Sequence, residues 1–175
     1  MYRERDDEKR RIFLEALREI PTNERIYLDE SGINKYLCRE YGRNTRGKKV
    51  LGEVSGHHYI RESVIAAISR GKFLSPMCFR GTCDTNLFNV WLEQVLITEL
   101  KPGQTLILDN ASFHKSAESR KLVEKAGCKL MFLPPYSPDL NPIEKYWANM
   151  KTKVRELLPK VQNLAGAMDE AILSM

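Results

Sequence analysis

Asp109 and Glu144 are separated by 34 residues, and a third acid, Asp29, ends an earlier apolar stretch. The two later acids sit in unusual local sequences, Thr105-Leu-Ile-Leu-Asp-Asn-Ala-Ser-Phe-His114 and Pro134-Pro-Tyr-Ser-Pro-Asp-Leu-Asn-Pro-Ile-Glu144. Three isolated carboxylates, each at the end of a regular element, suit a cage for hard divalent cations. Two aspartates and a glutamate partly neutralise a pair of Mg²⁺ ions about 3.5–4 Å apart and leave positions open for water and phosphate oxygens. The chemistry of such a cage is phosphoryl transfer. Each acid also has a plainer reading. Asp29 and Asp109 suit Asx-type turns after a strand. Asn141 suits an N-cap, with Pro142 first in the helix and Glu144 at the capping-box position. Glu144 nevertheless lies off the apolar stripe of its helix. It shares a face with Ala148, Lys151 and Arg155, which sets an acid at the mouth and a basic ridge behind it.

The elements that position these acids follow from hydrophobic spacing. Phe13, Leu17 and Ile20 recur at helical intervals, so residues 5–19 are expected to form a helix ended by Pro21 and Asn23. Residues 25–29 read as a strand that Ser31-Gly32 breaks. Short strand signals follow near 36–39, over 58–69 and over 73–79, the last two joined by a hairpin turn at Arg70-Gly71. Asp84 suits the cap of a helix running to Leu100. Leu106-Ile-Leu108 reads as a central strand buried on both faces. Ser116 suits the cap of a short helix ending at Gly127, and 129–133 reads as a further strand. Helices are expected from Pro142 to about Leu158 and, from the spacing of Val161, Leu164, Ala165, Met168, Ala171 and Ile172, over about 161–172. A three-stranded meander followed by alternating helix and strand implies a mixed α/β sheet flanked by helices. Sites in such sheets gather at the carboxyl ends of strands, where Asp29 and Asp109 are expected.

A chain of 175 residues suits one domain with a full core. No apolar run approaches the ~20 residues of a membrane span. The first residues lack the apolar segment of a signal peptide. A cytoplasmic location is expected. Cys38, Cys78, Cys83 and Cys128 are scattered without zinc spacing and read as reduced thiols. The net charge is +5. Lys35, Arg39, Arg43, Arg46, Lys48 and Lys49, against the single acid Glu40, carry a net charge equal to that of the whole chain. Lys145, Lys151, Lys153 and Arg155 form a second run. Clustered positive charge suits a phosphate backbone, and a solvated face is the alternative reading. Its coexistence with three acids of metal-binding type points to nucleic acid. The DNA-contact candidates are the six basic residues of 35–49 with Lys151 and Arg155.

The stretches Tyr27-Leu-Asp-Glu-Ser-Gly32, Arg39-Glu-Tyr-Gly42, 106–114 and Phe132–Trp147 resemble the DDE transposases of the mariner superfamily, in their bacterial insertion-sequence branch. The spacing of 34 between the second and third acids also agrees with that family. The resemblance covers residues 24–156 and rests most on Pro-Pro-Tyr-Ser-Pro-Asp-Leu-Asn-Pro-Ile-Glu. It implies a ribonuclease H-like fold with Asp29, Asp109 and Glu144 as the catalytic, metal-binding triad. It implies Mg²⁺ or Mn²⁺, two ions, supporting strand cleavage at transposon ends and attack of the freed 3′-OH on target DNA at a TA dinucleotide. Glu30, Asn110 and His114 belong to the same motifs. His114 either touches the scissile phosphate or supports an acid from behind. Members of that family carry N-terminal helix-turn-helix modules, and only about 20 residues precede the first strand here. Residues 1–175 are therefore expected to be a single catalytic domain, from a split reading frame or a truncated copy. Its implied partners are double-stranded DNA, a second copy of the chain, and an upstream helix-turn-helix protein or fused half. The implied setting is the nucleoid of a prokaryotic cytoplasm. The competing readings are a nuclease of the same fold without strand transfer and a non-catalytic DNA-binding remnant or repressor of transposition.

Overall fold

The computed structural model describes residues 6–34, 46, 61–161 and 163–175. Helix α1 (Asp7–Arg18) opens on Asp6, whose side chain accepts the Lys9 N–H at 3.0 Å. Strands β1 (Arg25–Asn34), β2 (Arg61–Ser69) and β3 (Lys72–Arg80) follow. Arg70 and Gly71 turn β2 into β3 with φ of 49° and 80°. Two left-handed residues match the right-handed twist of the strands they join. Next come α2 (Thr85–Trp91), a π-helical segment Leu92–Leu96, α3 (Ile97–Glu99), β4 (Thr105–Leu108), α4 (Ala117–Lys125), β5 (Lys129–Phe132), α5 (Ile143–Leu157) and α6 (Leu164–Leu173). The expected caps Asp84 and Ser116 accept the Leu87 and Ser119 N–H groups. The sheet order is β3-β2-β1-β4-β5. The meander pairs are antiparallel, and β4 joins β1 and β5 in parallel.

Alternation along the strands divides the core. Ile26, Leu28, Ile65, Ala67, Leu106 and Leu108 pack with Phe88, Trp91, Leu92, Leu96 and Val123 on one face. Val64, Ala66 and Ile68 pack with Trp147, Met150, Val154 and α6 on the other. Phe13 of α1 packs with Ile107 and Leu133 in a third cluster.

Three local expectations are corrected. Strand β1 does not end at Ser31-Gly32. It continues to Asn34, with Ser31 opposite Val64 and Gly32 opposite Ser63. The absence of a Cβ at Gly32 leaves the space that the exposed, flexible Arg61 guanidinium occupies. Asp29 is therefore inside a long strand, not at its end. The helix after Asp84 is interrupted by a π segment, whose wider turn lets Trp91, Leu92 and Leu96 all be fully buried. Asn141 does not cap α5 with its side chain. Its own N–H goes to the Pro138 carbonyl at 2.9 Å, which leaves a Glu144 capping box nothing to accept. The strand expected near 36–39 lies outside the described residues.

Candidate active site

The parallel pairing of β1 with β4 sets Tyr27 opposite Ile107. Continued by two residues, that register brings Asp29 level with Asp109, just past the last residue of β4. The parity of β1 sends Ile26 and Leu28 toward α2, so Asp29 faces the α5 side and Glu30 the α2 side. Helix α5 begins at Ile143, and Glu144 lies in its exposed first turn. All three acids line one cavity of about 400 Å³, together with Asn110, Asn141 and the loop 133–138. The fold thus collects the three acids that the sequence singled out.

Their environments differ. The Trp147 indole N–H donates to Asp29 Oδ2 at 3.1 Å. Burial pushes the Asp29 carboxyl up, and the charges of Glu30 and Glu144 add to this, to about 7. Asp109 Oδ1 accepts the Ala111 N–H at 2.9 Å and His114 Nδ1 at 2.7 Å. The first of these is the Asx turn expected of an Asp after a strand. Burial pushes Asp109 up, yet these hydrogen bonds, led by the one from His114, hold its carboxyl below the ordinary value. Both land on Oδ1, which leaves Oδ2 for another ligand. His114 is wholly buried, and its Nε2 reaches Glu30 Oε1 at 2.9 Å. Its ring packs on Phe88 and Phe113, with centroids 4.6 and 4.3 Å away. Burial pushes the imidazole down, but the Asp109 and Glu30 carboxylates outweigh it and raise His114 to about 9. His114 is thus an imidazolium joining the end of β4 to the middle of β1. It supports an acid and is closed off from solvent, so of the two roles expected for it the supporting one fits. The Glu144 carboxylate has no hydrogen-bond partner among the described residues.

Two participants were not foreseen. Trp147 shares the apolar stripe of α5 with Ile143, Met150 and Val154, where spacing marks it as core and not as a polar partner, although a buried indole N–H usually takes an acceptor. Asn141 is 4% exposed. Its Nδ2 makes a long 3.5 Å contact with the Leu28 carbonyl, and its Oδ1 is buried without a partner. Asn110 donates from Nδ2 to the Leu133 carbonyl and closes the ends of β4 and β5 together. Of the DNA-contact candidates, Arg46 and Arg155 are exposed and Lys151 is half-buried. Lys35, Arg39, Arg43, Lys48 and Lys49 lie outside the described residues.

Among the described residues, no group of three or more His, Cys, Asp or Glu is already closed around a point that could hold a metal ion. The donors nevertheless fit in kind. They are hard oxygens around one open cavity, and the shift of Asp29, due first to burial, also carries repulsion from Glu30 and Glu144, which a cation would relieve. Also among the described residues, no helix is long and apolar enough to cross a membrane.

The mixed sheet thus sets Asp29 and Asp109 side by side at its parallel β1–β4 pair. The family model for DDE superfamily endonucleases matches residues 24–165, and the chain belongs to that family. Its fold is similar to the Mos1 strand transfer complex (TM-score 0.65, 13% identity, 97% of this chain and 60% of that one). It is also similar to the catalytic core domain of BIV integrase (TM-score 0.55, 12% identity, 87% of this chain and 82% of that one). The fold is therefore ribonuclease H-like, as expected. Over 70 residues the chain is 48% identical to protein y4pE/y4sA of Sinorhizobium fredii (strain NBRC 101917 / NGR234), which is 39% of this chain and 50% of that protein. The chain thus spans about half the length of that relative and 60% of the Mos1 chain.

Proposed function

We propose that this chain is the catalytic part of a transposase, which cleaves DNA strands at transposon ends and joins the freed 3′-OH to target DNA. The reading rests chiefly on one observation. Asp29, Asp109 and Glu144, drawn from a strand, a strand end and a helix start, line a single cavity in a DDE endonuclease fold. In cleavage, a water oxygen bonds to phosphorus as the bond to O3′ breaks and the 3′ oxygen takes up a proton. In joining, that 3′-OH replaces water as the attacking group. Asp29, Asp109 and Glu144 would hold Mg²⁺ or Mn²⁺. The bound cations would supply activation of the attacking oxygen and stabilisation of the leaving one.

The rest is work for the protein. His114 fixes Oδ1 of Asp109 and so leaves the other oxygen turned to the cavity. Trp147 fixes one oxygen of Asp29. Arg155 and Lys151, on the same helix as Glu144, suit contacts to the phosphates that run away from the scissile bond. Double-stranded DNA is the substrate in this reading. A paired second copy and a helix-turn-helix reader would belong to the complete assembly, which acts in the prokaryotic nucleoid.

The test uses supercoiled plasmid and, separately, pre-cut ends with free 3′-OH groups. The parent chain should nick with Mg²⁺ and not with chelator. Asp109→Asn should reduce nicking on the order of 10³-fold while leaving DNA affinity nearly unchanged. Equal nicking by variant and parent would remove Asp109 from the site. Cutting without any joining of the pre-cut ends would reduce the function to that of a nuclease.

A further inference from the structure

Helix α1 lies before the first residue matched by the family model, and its inward face is built around one cation. Arg10, Phe13 and Leu17 recur at three- and four-residue intervals, so they share one face of the helix. Arg10 is only 7% exposed. Its two terminal nitrogens meet the two oxygens of Asp139 at 3.0 and 2.6 Å, across 129 residues of sequence. This is the fork-on-fork geometry that gives guanidinium–carboxylate pairs their directionality. Beside it, Phe13 packs with Ile107 and Leu133, and Leu17 and Leu140 flank that cluster.

The partners are placed where they matter. Ile107 lies two residues before Asp109. Asp139 and Leu140 form the 3₁₀ turn Pro138–Leu140, and Glu144 follows four residues later. The chain from that turn to Glu144 is short and restrained at both ends. The Asn141 N–H bonds to Pro138 and the Glu144 N–H to Asn141. Helix α1 therefore touches both the strand that presents one acid and the turn that aims another. The Glu144 carboxylate has no hydrogen bond of its own among the described residues, so its position is inherited from this turn.

We infer that Arg10 is a positioning residue: by gripping Asp139 it makes α1 a brace that fixes Glu144 relative to Asp109, so that the N-terminal helix is part of the metal-holding machinery. The inference rests on the proposed function for what Glu144 does, and on the geometry alone for what Arg10 holds.

The experiment uses the full chain with Arg10→Ala, Asp139→Ala, the double variant and Arg10→Lys. Asp139 is largely exposed, so its variant is expected to fold even where Arg10→Ala does not. Two quantities are read: Mn²⁺ affinity, by the paramagnetic signal of free ion, and amide hydrogen exchange over residues 138–145. Each single variant should weaken Mn²⁺ binding about tenfold, as loss of an outer support commonly does. The double variant should be no worse than either single one, and Arg10→Lys should recover part of the loss. Exchange over 138–145 should accelerate while β1 and β4 keep their protection. Parent-like Mn²⁺ affinity together with parent-like exchange in Asp139→Ala would overturn the brace. So would a double variant whose losses simply add. If the parent itself binds no Mn²⁺, the metal reading has failed, and the exchange measurement alone then decides whether Arg10 holds the turn.

Discussion

The two strand-borne acids and the helix-borne acid are held by opposite means. Asp29 and Asp109 are fixed at the side chain, through Trp147 on one and through Ala111 and His114 on the other. Among the described residues, Glu144 is fixed at the backbone alone, through the turn before α5. In the proposed chemistry, two carboxylates held at the side chain would face a third whose backbone alone is braced. The strand side is also where burial and charge meet. His114 sits as a buried cation between Asp109 and Glu30, and Asp29 is raised by burial and by the charges of Glu30 and Glu144. Buried charge is therefore concentrated on the strand side.

The sharpest way to break this contrast is His114→Gln. Glutamine lacks the charge and cannot span both carboxylates, so Asp109 and Glu30 lose their shared partner in a place closed to water. We expect a loss of about 2–3 kcal/mol in chemical denaturation, within the range for a broken buried polar contact. The protection of amides at the end of β4 should fall with it. A loss below about 0.5 kcal/mol would mean that the strand side is not pinned by this histidine.

What was legible in the sequence was local. The Leu106–Leu108 strand, the Arg70-Gly71 turn and the Asp84 and Ser116 caps each depend on neighbours within a few residues, and each is present. The three acids were legible because their motifs are distinctive. What escaped was long-range or depended on which face a side chain takes. Gly32 reads as a breaker, but opposite β2 it is the gap that accommodates Arg61. Asn141 reads as a cap, but its amide is drawn 113 residues back toward Leu28. Trp147 reads as core, and it is, yet its one polar atom serves Asp29 across 118 residues. Neither Arg10 nor Asp139 carries any sequence signal of their pairing, because surface charge is the ordinary state of both residue types.

The contrast also predicts how stability depends on pH. The folded state raises His114 from 6.5 to about 9 and Asp29 from 3.8 to about 7. A raised value means that the folded state holds a proton the unfolded chain has released. The His114 contribution is thus complete below about pH 6.5 and lost as pH rises through about 9. The Asp29 contribution is complete below about 3.8 and lost as pH rises through about 7. Asp109 acts in the opposite sense, and its contribution is lost on acidification. The metal-free protein should therefore lose thermal stability from pH 6 to 9.5. Mg²⁺ should raise Tm more at pH 8 than at pH 6, because at the lower pH it must displace the Asp29 proton. A difference of about 2–4 °C corresponds to about 1 kcal/mol for a domain of this size. Asp29→Asn should abolish the difference; if the Mg²⁺ effect is the same at both pH values in the parent, Asp29 is not the acid that competes with the ion.

The smallest effect belongs to the helix side and is the most discriminating. Glu144→Gln removes a charge that pushes on Asp29, and no hydrogen bond among the described residues is broken by it. Metal-free stability should change by less than about 1 kcal/mol, in the favourable direction, as expected for an exposed like-charge contact. The Asp29 carboxyl should titrate lower, which carbon-13 NMR of the carboxylate reads directly. The Mg²⁺-dependent rise in Tm should shrink at the same time. A residue whose loss stabilises the empty protein while weakening its hold on the ion has been kept for the ion. If Glu144→Gln instead destabilises the empty protein as strongly as His114→Gln, the helix-borne acid is as much a structural member as the strand-borne pair, and the distinction between them disappears.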